Sequence, residues 1–139
     1  MRLRSERGTA AVELALLAPV LLVLVAVVSG AGRMVETKSA VLQVAREASR
    51  AASEAPNPTA AHDAAIATAQ QVATGLGLDP ARLSIVQDPN GFARGAPYEV
   101  SVSYQVSMAD LPGLGLLPGS VTLGAEHAEL IDTYRSRSP

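Results

Sequence analysis

Residues 9–32 decide the class of this chain: they read TAAVELALLAPVLLVLVAVVSGAG, and Glu13 is the only charged residue among them. From residue 14 to residue 28 the sequence is apolar without interruption. An α-helix rises about 1.5 Å per residue, so these roughly 24 residues make a helix of about 36 Å. Because the hydrocarbon core of a bilayer is about 30 Å thick, the stretch predicts one membrane-spanning helix.

The charges on the two sides of this stretch differ. Three arginines precede it, at positions 2, 4 and 7, whereas Arg33 and Lys38 follow it with Glu36 between them. Positively charged flanks tend to stay in the cytoplasm. The pattern therefore predicts a cytoplasmic N-terminus and a C-terminal part outside the cytoplasm.

Composition limits what the remaining residues can form. With 139 residues the chain has room for one domain at most. Apolar residues make up 48% and charged residues 17%, which excludes disorder as a description of the whole chain. The net charge of −2 supplies no basic surface for nucleic acid, and the lack of cysteine removes disulfides and thiolate chemistry.

Helical periodicity continues beyond the apolar stretch. Residues 33–55 contain no Gly or Pro that would break a helix. They carry a narrow stripe of small apolar residues opposite a charged face, which predicts an amphipathic extension of the first helix. Asn57 as N-cap and Pro58 in the first turn predict a second helix to about residue 74. Its expected apolar face is weak and consists of Ile66, Ala69, Ala73 and Leu76.

After Pro80 the spacing of apolar residues changes from the helical period to every second residue. Alternation of apolar and polar residues is clearest over residues 98–107, residues 83–87 and 121–130 predict two further strands, and residues 88–91, Asp-Pro-Asn-Gly, are typical of a turn. A connection rich in Gly and Pro occupies residues 111–119. The predicted fold class is α+β: a long N-terminal transmembrane helix continuing into an amphipathic helix, a second helix, and a small antiparallel sheet of about three strands.

No motif predicts catalysis or cofactor binding. His62 and His127 lack the spacing of a metal site, no serine stands in a GxSxG motif, and the glycines of residues 113–119 match neither a dinucleotide nor a phosphate loop. We therefore expect no enzyme activity, no catalytic residue, no cofactor, no metal and no small-molecule substrate.

Glu13 is the residue that asks for an explanation. A carboxylate costs about 2.5 to 3.5 kcal/mol at the centre of a bilayer and less near its edge, and such groups usually have a partner. Two interpretations are open. Either Glu13 lies at headgroup level and the span begins at Leu14, or its charge has a function.

Residues 7–22, RGTAAVELALLAPVLL, resemble the N-terminus of the TadE-like pseudopilins and minor pilins of tight-adherence (Flp) type IV pilus systems. Members of that family have a basic leader ending in Gly, a Glu at the fifth mature residue and a Pro early in the helix. Gly8, Thr9, Glu13 and Pro19 match these positions, whereas Leu14 stands where the family usually has an aromatic residue. The resemblance covers residues 4–50, about a third of the chain.

The resemblance implies a pilin-like organisation and a structural or assembly role. A prepilin peptidase would remove a leader of residues 1–8, leaving a transmembrane helix (9–32), an amphipathic extension (33–55) and an extracytoplasmic α+β domain (56–139). The implied partners are the lipid bilayer, the prepilin peptidase and other pilin or pseudopilin subunits, which meet the N-terminal helix; nucleic acid is not among them. The implied location is the bacterial inner membrane, as a single-pass protein with its N-terminus inside, or a pilus at the cell surface.

Residue chemistry agrees with this resemblance. Cleavage between Gly8 and Thr9 would create an ammonium with an ordinary pKa of about 7.7 to 8.0, close to the level of Glu13. The two charges would then neutralise each other in an apolar environment.

Two other classes of protein compete with a pilin. A secreted binding protein would have an ordinary signal peptide, cleaved after Ala31 at the small residues 29–31, Ser-Gly-Ala. Against it, the apolar run is long for a signal peptide and contains Glu13 and Pro19. A membrane-anchored enzyme domain is the third class, and no catalytic motif supports it.

Overall fold

The computed structural model describes residues 3–88, 92–93, 95–115 and 117–131, with side chains from Ala10 onward. Two helices come first, α1 (Leu3–Ser53) and α2 (Pro58–Gly75), followed by the strands β1 (Leu83–Gln87), β2 (Pro97–Ser107) and β3 (Ser120–Leu130). Short 3-10 helices, Pro80–Arg82 and Met108–Asp110, precede β1 and follow β2. This arrangement confirms the predicted α+β class, with a long first helix, a second helix and a three-stranded antiparallel sheet.

The chain divides into two compact units, and α1 contributes to both. One unit contains α1 as far as Met34 together with the segment Ser107–Gly119. The other contains Val35–Val106 and β3. Because α1 is helical throughout Leu3–Ser53, the apolar stretch and its amphipathic extension form one continuous helix.

The second half of α1 buries the stripe of small residues that the sequence predicted. Five of its apolar residues have no exposed surface: Val41, Val44, Ala45, Ala48 and Ala52. On the opposite face, Arg50 and Glu54 are exposed and form an ion pair across one turn at 3.3 Å. The prediction of an amphipathic extension is therefore confirmed, although the helix ends at Ser53 and not at residue 55.

Helix α2 begins as predicted, and its buried face contains two of the four predicted residues, Ala69 and Ala73. The side-chain oxygen of Asn57 accepts a hydrogen bond from the Ala60 amide at 2.8 Å, and Pro58 occupies the first turn. The completely buried residues recur at every fourth position: Ala61, Ala65, Ala69 and Ala73. Leu76 remains 39% exposed, so the predicted face was wrong for that residue. The face was hard to predict because alanine dominates every side of this helix.

Strand β2 lies in the middle of the sheet, between β1 and β3. It pairs with β1 in antiparallel register, from Leu83 opposite Tyr104 to Gln87 opposite Val100. Its buried residues alternate as the sequence predicted: Tyr98, Val100, Val102, Tyr104 and Val106. The amide of Asp88 donates to the carbonyl of Glu99 at 3.4 Å, whereas residues 89–91 of the predicted turn lie outside the described residues.

Two tyrosines of β2 form side-chain hydrogen bonds, one to strand β1 and one to the segment that precedes β1. The hydroxyl of Tyr98 donates to Oε1 of Gln87 at 2.6 Å, and the hydroxyl of Tyr104 accepts from the amide of Asp79 at 3.3 Å. Burial raises the pKa of Tyr98 above its usual value of 10, and the negative charge of Asp88 adds to the effect. The neutral phenol is therefore the form that the fold favours.

Candidate membrane and assembly site

The first half of α1 exposes large apolar side chains on all sides. Between Val12 and Val28, twelve valine and leucine side chains are each 50 to 71% exposed: Val12, Leu14, Leu16, Leu17, Val20, Leu21, Leu22, Val23, Leu24, Val25, Val27 and Val28. A helix that is apolar all round is stable when an apolar medium surrounds it. This segment is long and apolar enough to cross a membrane, in agreement with a single-pass membrane protein.

Glu13 is the acidic residue on this otherwise apolar surface. Its side chain is exposed, and among the residues that the structure describes it has no ion pair or hydrogen bond. Leu14, Leu16 and Leu17 beside it are 50 to 70% exposed as well. The carboxylate therefore lies on the outside of the helix, where a neighbouring molecule can reach it.

Gly8 and Thr9 lie in the first turns of α1, and their backbone is helical. The side chain of Thr9 lies outside the described ones. Thr9 precedes Glu13 by four residues, which corresponds to one helical turn and about 6 Å along the axis. The three positions thus share one end of the span.

Pro19 stands within α1, a turn and a half beyond Glu13. Proline has no backbone N–H, so the carbonyl of Ala15 lacks its usual helical donor. Proline within a membrane helix is tolerated where a neighbouring helix or a local adjustment satisfies the carbonyl that it frees. The helix continues on both sides of the residue.

A contact that the sequence did not predict lies near the other end of the span. The segment Ser107–Gly119 belongs to the same compact unit as the first half of α1. Gly113 lies so close to Ala26 that a Cβ built on Gly113 would overlap the Ala26 side chain. A Cβ on Gly30 would meet Cδ1 of Leu114 at 3.5 Å. Ala26 and Gly30, one turn apart, therefore form the surface of α1 against which this segment packs.

The surroundings of the two histidines do not resemble a metal site among the described residues. Nε2 of His127 is 3.4 Å from a carboxylate oxygen of Glu129, and both side chains are partly exposed. His62 borders a recess that Phe92 and Tyr98 also line. Within the described part of the chain, no three His, Asp or Glu side chains are grouped so that they could hold a metal ion.

Comparison with known proteins identifies the N-terminal part. A family model described as TadE-like protein matches residues 8–50. No curated protein and no solved structure matches the chain. The matched segment begins at Gly8, contains Glu13 and Pro19, and ends in the buried stripe of α1. A TadE-like segment indicates a structural component related to the tight-adherence pilus, in contact with the membrane and with other pilus subunits. Residues 8–50, which lie within the first helix, are thus similar to the TadE-like family.

Proposed function

We propose that this protein is a minor pilin or pseudopilin of a tight-adherence (Flp) type IV pilus or a related secretion apparatus. The observation that carries the proposal is the coincidence of the TadE-like match with a single helix that is apolar on all sides. Such a helix can lie in lipid before assembly and among other helices after it. A structural subunit needs this exchange of surroundings and needs no catalytic group.

A prepilin peptidase would process the chain on the cytoplasmic side, between Gly8 and Thr9. The three arginines at positions 2, 4 and 7 would hold the leader in the cytoplasm, and the domain after residue 55 would fold outside it. Two observations favour this cleavage over a signal-peptide cut after Ala31. Residues 29–32 are helical, and α1 continues for about six turns beyond them, so a cut there would divide a continuous helix.

In this proposal Glu13 serves assembly and not anchoring. The new ammonium of Thr9 would be largely protonated at neutral pH, because its ordinary pKa is about 7.7 to 8.0. A single subunit in a membrane can let both charged groups reach water at the interface. When helices associate and exclude water, the carboxylate of one subunit needs a positive partner, and the ammonium of a neighbour supplies it.

The test compares two substitutions that remove the same charge from the same helix. Glu13→Gln keeps the size of the side chain and removes its negative charge. Glu36→Gln makes the same change at an exposed position beyond the span. Removing one partner of a buried ion pair costs about 3 to 5 kcal/mol, which corresponds to at least a 100-fold loss of association.

We expect both variants to insert into the membrane and to be cut after Gly8. After chemical cross-linking in cells that assemble the pilus, Glu36→Gln should co-purify with other pilin subunits at the level of the unchanged protein. Glu13→Gln should be recovered as the single subunit. Normal recovery of assembled Glu13→Gln would refute the role of its charge in assembly and favour the interpretation that Glu13 merely lies at headgroup level.

A further inference from the structure

We propose that the segment 111–119 is a membrane-contacting loop that packs on α1 within the outer half of the bilayer and touches lipid with Leu117. The proposal goes beyond assembly of a pilus and rests on the proposed membrane span of α1 and its orientation. The contact between Gly113 and Ala26 is the observation that leads to it.

The depth of Ala26 sets the depth of the loop. Ala26 precedes Arg33, the first charged residue after the span, by seven residues, which is about 10 Å along the helix. A hydrocarbon core of about 30 Å needs about 20 residues of helix, so Ala26 lies inside the core for any placement that covers the apolar stretch. Gly113 touches Ala26 and must therefore reach the outer leaflet as well.

The composition of the loop suits that depth. Residues 111–119 read LPGLGLLPG and contain no charged side chain. Leu111 is buried, Leu114 is partly exposed, and Leu117 is 55% exposed. An exposed leucine at the level of the membrane gains free energy by contact with acyl chains, as the apolar faces of interfacial helices do.

The backbone of the loop is also prepared for a medium that contains little water. The amides of Leu114 and Leu117 donate to the carbonyls of Leu111 and Leu114 at 3.1 and 2.9 Å, and the amide of Leu111 donates to the carbonyl of Met108, just before the segment, at 3.2 Å. The two prolines, Pro112 and Pro118, have no amide donor to satisfy. Irregular backbone is excluded from the lipid-exposed centre of a bilayer because its polar groups lack partners. These turns thus fit the boundary between acyl chains and headgroups, and not the centre.

Glycine is required at the point of closest approach. Gly113 has a φ of +74°, a conformation that residues with a side chain rarely adopt. Ala26 also occupies the space in which a Cβ would lie, because a Cβ built on Gly113 would be only 3.1 Å from the Cα of Ala26. Gly77 offers a matched control, because its φ of +75° is nearly the same and nothing lies within 4 Å of a Cβ built there. The two glycines share nearly the same φ and differ in the contact with α1.

The test uses the absence of cysteine from the chain. Three variants of the full-length protein each replace one exposed leucine by cysteine for labelling with a nitroxide: Leu24 in the span, Leu117 in the loop and Leu130 in β3. In vesicles of phosphatidylcholine and phosphatidylglycerol, oxygen reaches labels in lipid, whereas a water-soluble nickel chelate reaches labels in water. Power saturation of the spin-label spectrum measures both.

We expect oxygen to exceed the nickel chelate at positions 24 and 117, and the chelate to exceed oxygen at position 130. A label at position 117 that behaves like the one at position 130 would overturn the proposal. A label at position 117 shielded from both reagents, and only when other pilin subunits are present, would also overturn it and assign the loop to a protein neighbour. A water-exposed label at position 24 would instead refute the span itself, and with it the proposed function.

A second measurement tests the packing of the loop on Ala26 and Gly30. Introducing Gly113→Ala beside the label at position 117 should move that label towards water, so that its accessibility approaches the value at position 130. Gly77→Ala should leave the label at position 117 unchanged. Unchanged lipid contact in Gly113→Ala would contradict the claim that Ala26 and Gly30 hold the loop at this depth.

Discussion

The alanine face of α2 allows a prediction with an internal control. Ala65 has no exposed surface, whereas Ala67, two residues further along the same helix, is exposed. Ala65→Leu and Ala67→Leu add the same three carbons to the same helix. Only the first of these substitutions places the added atoms in a filled space.

The expected magnitudes are well separated. Inserting extra carbons into a packed core costs typically about 1 to 3 kcal/mol. At the exposed position, leucine and alanine differ little in helix propensity, and such surface changes stay within about 0.5 kcal/mol. With a urea dependence of about 2 kcal/mol per molar, a loss of about 2 kcal/mol lowers the midpoint of unfolding by about 1 M.

The assay is pulse proteolysis of the full-length protein in mild detergent across a urea series. The fraction of the folded part that contains α2 and the sheet and survives a short protease treatment gives the midpoint. We expect Ala65→Leu to lower it by about 1 M and Ala67→Leu to leave it within error. Equal midpoints for the two variants would refute the packing of α2 described above, because a buried position cannot take up three extra carbons without loss of stability.

Two further predictions concern pH and topology. Because the pKa of Tyr98 is raised in the folded state, the unfolded chain ionises first as the pH rises above 10, and the fold loses stability from there through the folded pKa. Tyr98→Phe should remove this part of the decline between pH 9 and pH 11 in the same urea assay, while losing about 1 kcal/mol at neutral pH with the hydrogen bond to Gln87; an unchanged pH profile would contradict it. A reporter that is active only outside the cytoplasm, fused after Pro139, should be active, and an inactive reporter beside an active cytoplasmic one would contradict the proposed orientation.

Elements with strong periodicity were predictable from sequence. Fifteen successive apolar residues predicted a long helix with an apolar surface without reference to the rest of the fold. The alternation over residues 98–107 predicted both β2 and its buried face. In each case the local pattern alone determines which medium each side chain prefers. The buried stripe of α1 was predictable for the same reason.

The remaining features depend on contacts between distant residues. Alanine has almost no preference between the two sides of α2, so the buried face is set by what packs against it, and the prediction for Leu76 failed. The contact of Gly113 with Ala26 joins two segments that are far apart in sequence, and glycine in a Gly-rich and Pro-rich connection is equally typical of an ordinary turn. The contact of Leu114 with Gly30 is likewise visible only in the folded structure and leaves no local pattern in the sequence.

The N-terminal residue of the mature protein tests the central claim most directly. The leader of residues 1–8 holds three arginines and one glutamate, a net charge of +2, so removing it from a chain of −2 leaves a side-chain net charge of −4. N-terminal sequencing and intact mass of the protein purified from membranes should give a chain that begins at Thr9, and Gly8→Leu should leave the precursor uncut. A mature chain that begins at Gly32 would contradict the account and establish the signal-peptide alternative.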